Sequence, residues 1–221
     1  MRVVGKIKSL LFSVCIFLLI VCALVFTLKW FGVIRPKAYN NAYFGFDDYK
    51  SATDKDGDGI DDQTDILENV IKYIDTKPKY KSKYYATGYP NDGYGVCTDL
   101  VANGLKGAGY DLMELVNKDI MQNPDDYGVE KADKNIDFRR VKNLKVYFEK
   151  YAVKLTTDIY DTEQWQGGDI IVFEKHIGIV SNKRNKKGIA FIIHHANPYQ
   201  VHYEEDILEG RDDIVGHYRI S

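Results

Sequence analysis

The chain contains little cysteine, with three residues in 221, and two of them, Cys15 and Cys22, lie in an apolar N-terminal stretch. No intrachain disulfide can therefore form in the part that follows, which leaves Cys97 as a free thiol. Cys-x-x-Cys and His-x-x-x-His pairs are also missing, and this weakens a zinc-site interpretation of Cys97 and the five histidines.

The sequence also lacks a large excess of charge of either sign, since it contains 30 Lys and Arg residues and 32 Asp and Glu residues. Nucleic-acid binders carry a clustered basic surface, whereas the basic run at residues 183–187 is typical of a solvated hairpin tip. We therefore expect no nucleic-acid partner.

Residues 9–28 form an uncharged apolar run, with the length that crosses a hydrocarbon core of about 30 Å. The run is longer than the apolar region of a signal peptide, which has about 7–15 residues, and no convincing cleavage site follows it. We predict a single-pass membrane anchor at 1–30 with a short cytoplasmic N-terminus, a tether at 31–51 and an extracytoplasmic domain at 52–221.

An Asp-rich loop occupies residues 54–65. Its aspartates stand at relative positions 1, 3, 5, 9 and 12, with Gly59 at position 6, which is the spacing of a loop that wraps oxygen ligands around calcium. Because an aspartate ends the loop where an EF-hand has glutamate, the loop is closer to those of dockerin or thrombospondin-type repeats. An Asp/Gly turn that caps a helix is the alternative. The candidate ligands of a structural calcium ion are Asp54, Asp56, Asp58, Asp62 and Asp65.

The first half of the domain shows helical periodicity, and the second half contains strand-like runs. Apolar residues recur at helical spacing over residues 64–74, after Cys97, and over residues 141–151. Short β-rich runs separated by turn residues follow from residue 169. Helices followed by an antiparallel sheet predict an α+β domain.

Cys97 lies where a glycine-rich loop, residues 88–95, turns into an amphipathic helix. The unpaired N–H groups and the positive dipole end at a helix start favour thiolate over thiol. With a histidine nearby, such a cysteine pKa falls from about 8.5 to roughly 3.5–7.5. We predict that Cys97 is a nucleophile. The alternative is a small apolar core residue, because free cysteines are often buried.

Histidines near the ends of two predicted strands supply the partner that this chemistry needs. His176 opens one strand, where its imidazole could accept the thiol proton and later protonate a leaving amine. His194 ends the neighbouring strand and is the expected third member, which orients the imidazole. His195 points to the opposite face by strand alternation, and only one of the two can hold that position. Asn197 is a weaker substitute.

Six motifs together resemble a known family. They are GVCTD at 95–99, NIDFRRV at 135–141, WQGGDI at 165–170, HIGIVS at 176–181, IH at 193–194 and GHYR at 216–219. In order and spacing they resemble the YijF-like family of domains of unknown function, which is similar to NlpC-type, papain-like cysteine peptidases that act on cell-wall peptides. The resemblance covers about residues 54–221. It implies a papain-like core with Cys97 as nucleophile, His176 as base and His194 as third residue.

The chain departs from that pattern directly after the nucleophile, where Cys-Thr-Asp replaces the usual Cys-Ser-Gly. Asp99 would place a negative charge one helical step from the thiol, where it could raise the thiol pKa or bind a substrate amine. Tyr89 or Tyr94, in the preceding loop, could donate a hydrogen bond to the oxyanion. Packing of the loop is the alternative role for both tyrosines.

We therefore expect a membrane-anchored hydrolase that cleaves an amide bond in a peptide-like substrate, such as a peptidoglycan stem peptide, through Cys97, His176 and His194. Its catalysis requires no cofactor. Two alternatives stay open. One is an inactive module of the same fold that binds wall peptides or a partner protein, and the other is a different transfer by the same pair, such as transamidation or thioester hydrolysis.

Overall fold

The computed structural model describes residues 2–30 and 36–220. The first of these ranges is one helix, α1 (Arg2–Trp30). Its segment Leu11–Leu28 is long and apolar enough to cross a membrane. The expected anchor therefore corresponds to a helix with the necessary length and composition.

The compact unit that follows begins at Ala38. Tyr39 exchanges two backbone hydrogen bonds with Arg184, at 2.9 and 2.7 Å, and the side chain of Asn41 is buried. The tether predicted at 31–51 is therefore too long, because its second half belongs to the compact unit. Residues 31–35 of that tether lie outside the described residues.

Of the six α-helices in the compact unit, the four longer ones follow the apolar periodicity of their sequences. The helix at the end of the Asp-rich loop begins where the side chain of Asp61 accepts the N–H of Thr64 at 3.2 Å. Two short helices and a short parallel strand pair were not anticipated from the sequence. The helices are α2 (Asp62–Asp75), α3 (Cys97–Gly107), α4 (Leu112–Gln122), α5 (Pro124–Tyr127), α6 (Lys134–Asp137) and α7 (Val141–Tyr151).

The second half of the unit forms a six-stranded antiparallel sheet, as the sequence predicted, so the fold is α+β. The strands are β1 (Lys79–Tyr80), β2 (Tyr94–Gly95), β3 (Val153–Lys154), β4 (Ile170–Phe173), β5 (Ile177–Arg184), β6 (Ala190–Ile193), β7 (Glu204–Glu205) and β8 (Ile214–Arg219). The strand order of the sheet is β3-β8-β4-β5-β6-β7, and β1 pairs separately with β2 in parallel.

Helix α3 packs against both helix α2 and strand β5 in the core. Leu100 and Leu105 of α3 and Ile177 and Ile179 of β5 are fully buried in one apolar cluster. Gly104 allows α2 and α3 to approach closely, because an added Cβ there would lie 2.3 Å from the side chain of Val70. The start of α3, which carries Cys97, is thereby held against the sheet.

Arg184 is fully buried at the end of β5, and its guanidinium is satisfied by fixed acceptors. It donates to the carbonyl oxygens of Thr162 and Gly188 at 2.8 Å and of Trp165 at 2.6 Å, and to Oδ1 of Asn41. Burial lowers its pKa to about 10, so the group remains charged at neutral pH. These bonds join the segment at Asn41 to the sheet.

Candidate active site

Cys97 is the first residue of helix α3 and directly follows strand β2 and Val96. The N–H of Val96 donates to Oδ2 of Asp99 at 2.9 Å, which closes the helix start in the manner of a capping box. The side chain of Cys97 is half-buried. The helix start predicted from the sequence is therefore confirmed, and it holds the sulfur at the positive end of the helix dipole.

Asp99 is fully buried and forms a bidentate ion pair with Arg139. Its Oδ1 accepts from Nε of Arg139 at 2.6 Å, and its Oδ2 accepts from Nη2 at 2.9 Å. Arg139 also donates to the carbonyl oxygen of Lys83 at 2.7 Å. Because both oxygens of Asp99 are occupied, this side chain positions the helix start and is not free to bind a substrate amine. The other expected effect agrees with the structure because, after burial, the charge of Asp99 contributes to the raised pKa of Cys97.

A chain of three side chains runs from His176 to the edge of the sheet. His176 precedes β5 and His194 follows β6, and the antiparallel pairing of these strands brings the two rings together. Nε2 of His176 lies 2.9 Å from Nδ1 of His194, and Nε2 of His194 lies 2.9 Å from Oε2 of Glu205. The sequence predicted the two histidines and missed Glu205.

The carboxylate of Glu205 assigns the tautomers along this chain. A carboxylate only accepts, so Nε2 of His194 carries the proton and its Nδ1 accepts. His176 must then donate from Nε2, which leaves its Nδ1 as the unprotonated nitrogen. That nitrogen has no hydrogen-bond partner among the residues that the structure describes.

The other histidines have different surroundings. His195 is buried, and its ring meets Tyr80 and Tyr203 edge-on, each with centroids 5.3 Å apart. His217 stacks on Trp165 and is hydrogen-bonded through both ring nitrogens. His194, rather than His195, is therefore the neighbour that contacts His176.

The pKa shifts of the candidate pair both favour uncharged groups. Burial raises the pKa of Cys97 to about 11, although the N–H of Ile177 opposes the shift. Burial, and after it the interaction with His194, lowers the pKa of His176 to about 3. The expectation of a thiolate at neutral pH is thus corrected, because a thiol and a neutral imidazole face less desolvation cost than an ion pair.

Tyr89 and Tyr94 are the tyrosines predicted as donors to the oxyanion, but the structure also brings Tyr80 near Cys97. Tyr89 donates to Oδ1 of Asp111 at 2.8 Å, so its hydroxyl is occupied at the far end of α3 and the alternative of loop packing holds for it. Tyr94 lies in β2, with the ammonium of Lys81 5.2 Å from its ring centroid. Tyr80 in β1, which the sequence analysis missed, has a pKa raised by burial and by the nearby charge of Cys97.

A family model agrees with most of the compact unit. The family described as Domain of unknown function (DUF1287) matches residues 67–220. The chain belongs to this family. It is also similar to the Uncharacterized protein YijF of Escherichia coli (strain K12), with 32% identity over 151 residues that cover 64% of this chain and 72% of that protein. No solved structure matches the chain.

The DUF1287 match includes every residue of the candidate site and begins after the Asp-rich loop. In that loop the carboxylates of Asp54, Asp56 and Asp58 form one exposed group. Asp62 is separate from it, because its oxygens accept from Lys55 N at 2.7 Å and from the hydroxyls of Thr53 and Tyr110. The expectation that Asp62 is a metal ligand is therefore corrected.

The pH dependence of Cys97 alkylation in this DUF1287 protein tests whether Cys97 and His176 form an uncharged thiol–imidazole pair. We expect the rate of reaction with iodoacetamide to be low at pH 7 and to keep rising beyond pH 9, because the thiolate reacts and the pKa of Cys97 is raised to about 11. Mass spectrometry of the Cys97 peptide separates its labelling from that of Cys15 and Cys22. A rate that already levels off below pH 8 would show a thiolate–imidazolium pair instead.

Proposed function

We propose that this protein is a membrane-anchored cysteine hydrolase with a papain-like core, which cleaves an amide bond in a peptide of the cell wall. The observation that carries the proposal is the hydrogen-bonded chain from His176 through His194 to Glu205, which leaves Nδ1 of His176 unprotonated and able to accept a proton. His176 adjoins Ile177, whose N–H acts on the sulfur of Cys97. The base and the nucleophile thus belong to neighbouring parts of the site.

The reaction begins with transfer of the thiol proton of Cys97 to Nδ1 of His176 as the sulfur attacks the amide carbonyl. The two groups need only approach in the substrate complex, since such hydrogen bonds are often long in a free enzyme. Negative charge then develops on the carbonyl oxygen. The backbone N–H of Cys97 and the hydroxyl of Tyr80 are the proposed donors to it, with Tyr94 as the alternative to Tyr80.

Breakdown of the tetrahedral intermediate requires a proton on the leaving amine. His176, now protonated, gives up the proton that it took from Cys97, and the amine departs to leave a thioester. Water, deprotonated by the same imidazole, then hydrolyses the thioester and regenerates the thiol. His194 orients His176, and the carboxylate of Glu205 at the end of the chain provides the negative charge that balances the transient imidazolium.

Two further observations support the proposed cell-wall substrate and the proposed location of the protein. The motifs around Cys97 and His176 resemble those of NlpC-type peptidases, and helix α1 is apolar enough to hold the chain in a membrane. We propose that the compact unit lies on the extracytoplasmic side, where peptidoglycan stem peptides are available. Its partner is a peptide-like substrate.

The test is digestion of peptidoglycan fragments by the full-length protein in detergent. We expect the wild type and a Cys22→Ala control to release the same new amine-bearing products, and Cys97→Ala to release none. Mass spectrometry of the fragments identifies the bond that is cleaved. Identical product profiles for the wild type and Cys97→Ala would contradict the proposal.

A wall-peptide-binding module without turnover is the second candidate. The raised pKa of Cys97, to about 11, favours it, because a buried thiol without substrate is unreactive. Such a module would bind the same fragments with equal affinity in the wild type and in Cys97→Ala, and neither would release products.

A further inference from the structure

The Asp-rich loop carries charges that the candidate active site does not use. The ligand oxygens of Asp54, Asp56 and Asp58 all lie within 4.8 Å of one another, and all three residues are exposed. Exposed acidic groups also occur in proteins without bound ions, so this group alone does not define a metal site.

Asp65, in the first turn of α2, supplies a second and independent observation. Its side chain is 4% exposed, and its Oδ1 accepts from Nδ2 of Asn69 at 2.7 Å. Its Oδ2 is buried without any hydrogen-bond partner among the described residues. Burial, and after it the charges of Asp58 and Asp56, raises the pKa of this carboxyl. A buried carboxylate oxygen without a donor is costly to keep charged, and a cation would remove that cost.

The backbone between these residues has the form that a cation loop needs. Gly59 adopts a φ of +94°, in the left-handed region, at the sharp turn. Asp54 accepts the N–H groups of Gly57 at 2.8 Å and of Gly59 at 2.9 Å, so the loop is already closed around its first aspartate. A preformed loop loses less conformational entropy when it binds an ion.

We propose that Asp54, Asp56, Asp58 and Asp65 bind one calcium ion, with the carbonyl oxygen of Ile60 as a further ligand. Calcium takes six to eight oxygen ligands in flexible geometry, whereas magnesium keeps most of its waters and is seldom enclosed by protein oxygens alone. Asp62 takes no part. Its bonds to the backbone and to hydroxyl groups fix the loop to α2 from the other side.

The ion would connect two helices that carry the core. Asp65 belongs to α2, and the loop also lies against Gly109, after the end of α3, where an added Cβ would be 2.9 Å from Lys55 and 3.3 Å from Asp56. Cys97 is at the opposite end of α3. Calcium therefore acts on the stability of the compact unit and stands apart from the proposed hydrolysis.

The experiment uses the full-length protein in detergent, stripped with EDTA and then titrated with calcium chloride by calorimetry and by thermal melting. We expect one site per chain with a dissociation constant of roughly 10 μM to 1 mM. At about 100-fold excess over that constant, the Tm should rise by roughly 5–10 °C. Magnesium at equal concentration should leave the Tm nearly unchanged.

Three variants test the assignment. Asp58→Asn should weaken calcium binding at least about tenfold, while Asp75→Asn, an exposed control at the end of the same helix, should bind as the wild type does. Asp65→Asn gives the sharpest result. Its amide replaces an unpaired charge, so in EDTA it should melt no lower than the wild type, yet calcium should no longer raise its Tm.

Two results would overturn the site. One is a wild type that shows neither heat of binding nor a calcium-dependent Tm. The other is a calcium affinity that is unchanged in both Asp58→Asn and Asp65→Asn. Neither of these results depends on a measurement of peptide hydrolysis. The calcium site can therefore be refuted independently of the proposed function.

Discussion

Replacement of His176 with alanine is expected to reduce kcat for the proposed wall-peptide hydrolysis by about 10²–10⁴-fold, which is the usual contribution of a general base. The effect should be large because burial keeps the Cys97 thiol protonated, with a pKa near 11, and no thiolate is available without a base. Single-turnover release of the amine product measures the chemical step. A variant that retains most of its kcat would rule out His176 as the base.

Glu205 allows the same mechanism to be tested without removal of a ring. In Glu205→Gln the amide can donate to Nε2 of His194, which reverses the tautomers along the chain and places a proton on Nδ1 of His176. We expect kcat to fall by about 10²-fold or more. Glu204→Gln is the matched control in the same strand, since Glu204 bonds to Ser181 and Lys183. Equal kcat values for the two variants would contradict the tautomer assignment.

Loss of the charge on Asp99 is expected to destabilise the compact unit by about 3–5 kcal/mol, because Arg139 would remain buried without its counter-ion. The side chains of Asp99 and Arg139 are 0% and 3% exposed, so water cannot take over that role. Asp99→Asn keeps the shape and removes the charge. Urea unfolding, monitored by the near-ultraviolet signal of the tyrosines, measures the change in the free energy of unfolding.

An exposed pair provides the control for that experiment. Glu68 and Lys72 are 3.8 Å apart on the surface of α2, and Glu68→Gln should change the free energy of unfolding by less than about 1 kcal/mol. The double variant Asp99→Asn with Arg139→Met should recover part of the loss, because it no longer buries an unpaired charge. A loss below about 1 kcal/mol in Asp99→Asn would refute the importance of the pair.

Much of the fold followed from residue patterns of short range. The periodicity after Asp61 and after Cys97 predicted helices that the structure contains, and the turn-separated β-rich runs predicted the antiparallel sheet. The approach of His176 to His194 also followed, because both flank adjacent strands of one hairpin. These features depend on local periodicity and on strand neighbours, which a single sequence records.

Features that depend on contacts between distant segments could not be predicted. Glu205 reaches His194 through the pairing of β6 with β7, and Tyr80 reaches the site through a two-residue strand that shows no alternation. The sequence places Asp99 near the thiol, but it does not show its partner Arg139, which lies forty residues away. Burial decides the direction of the pKa shift of Cys97, and the residues next to it in sequence do not show whether its side chain is buried. That direction could therefore be obtained only from the structure.

The buried position of Arg184 sets the limit for truncation of this protein. Its guanidinium depends on Asn41, and its backbone is paired with Tyr39, so both residues complete the domain although they precede the DUF1287 match. A recombinant fragment cut after Asn41 would leave Nε of the buried guanidinium without its acceptor and the backbone of Arg184 without its partner. Cleavage that removes helix α1 would therefore leave an intact domain only if it falls before residue 39.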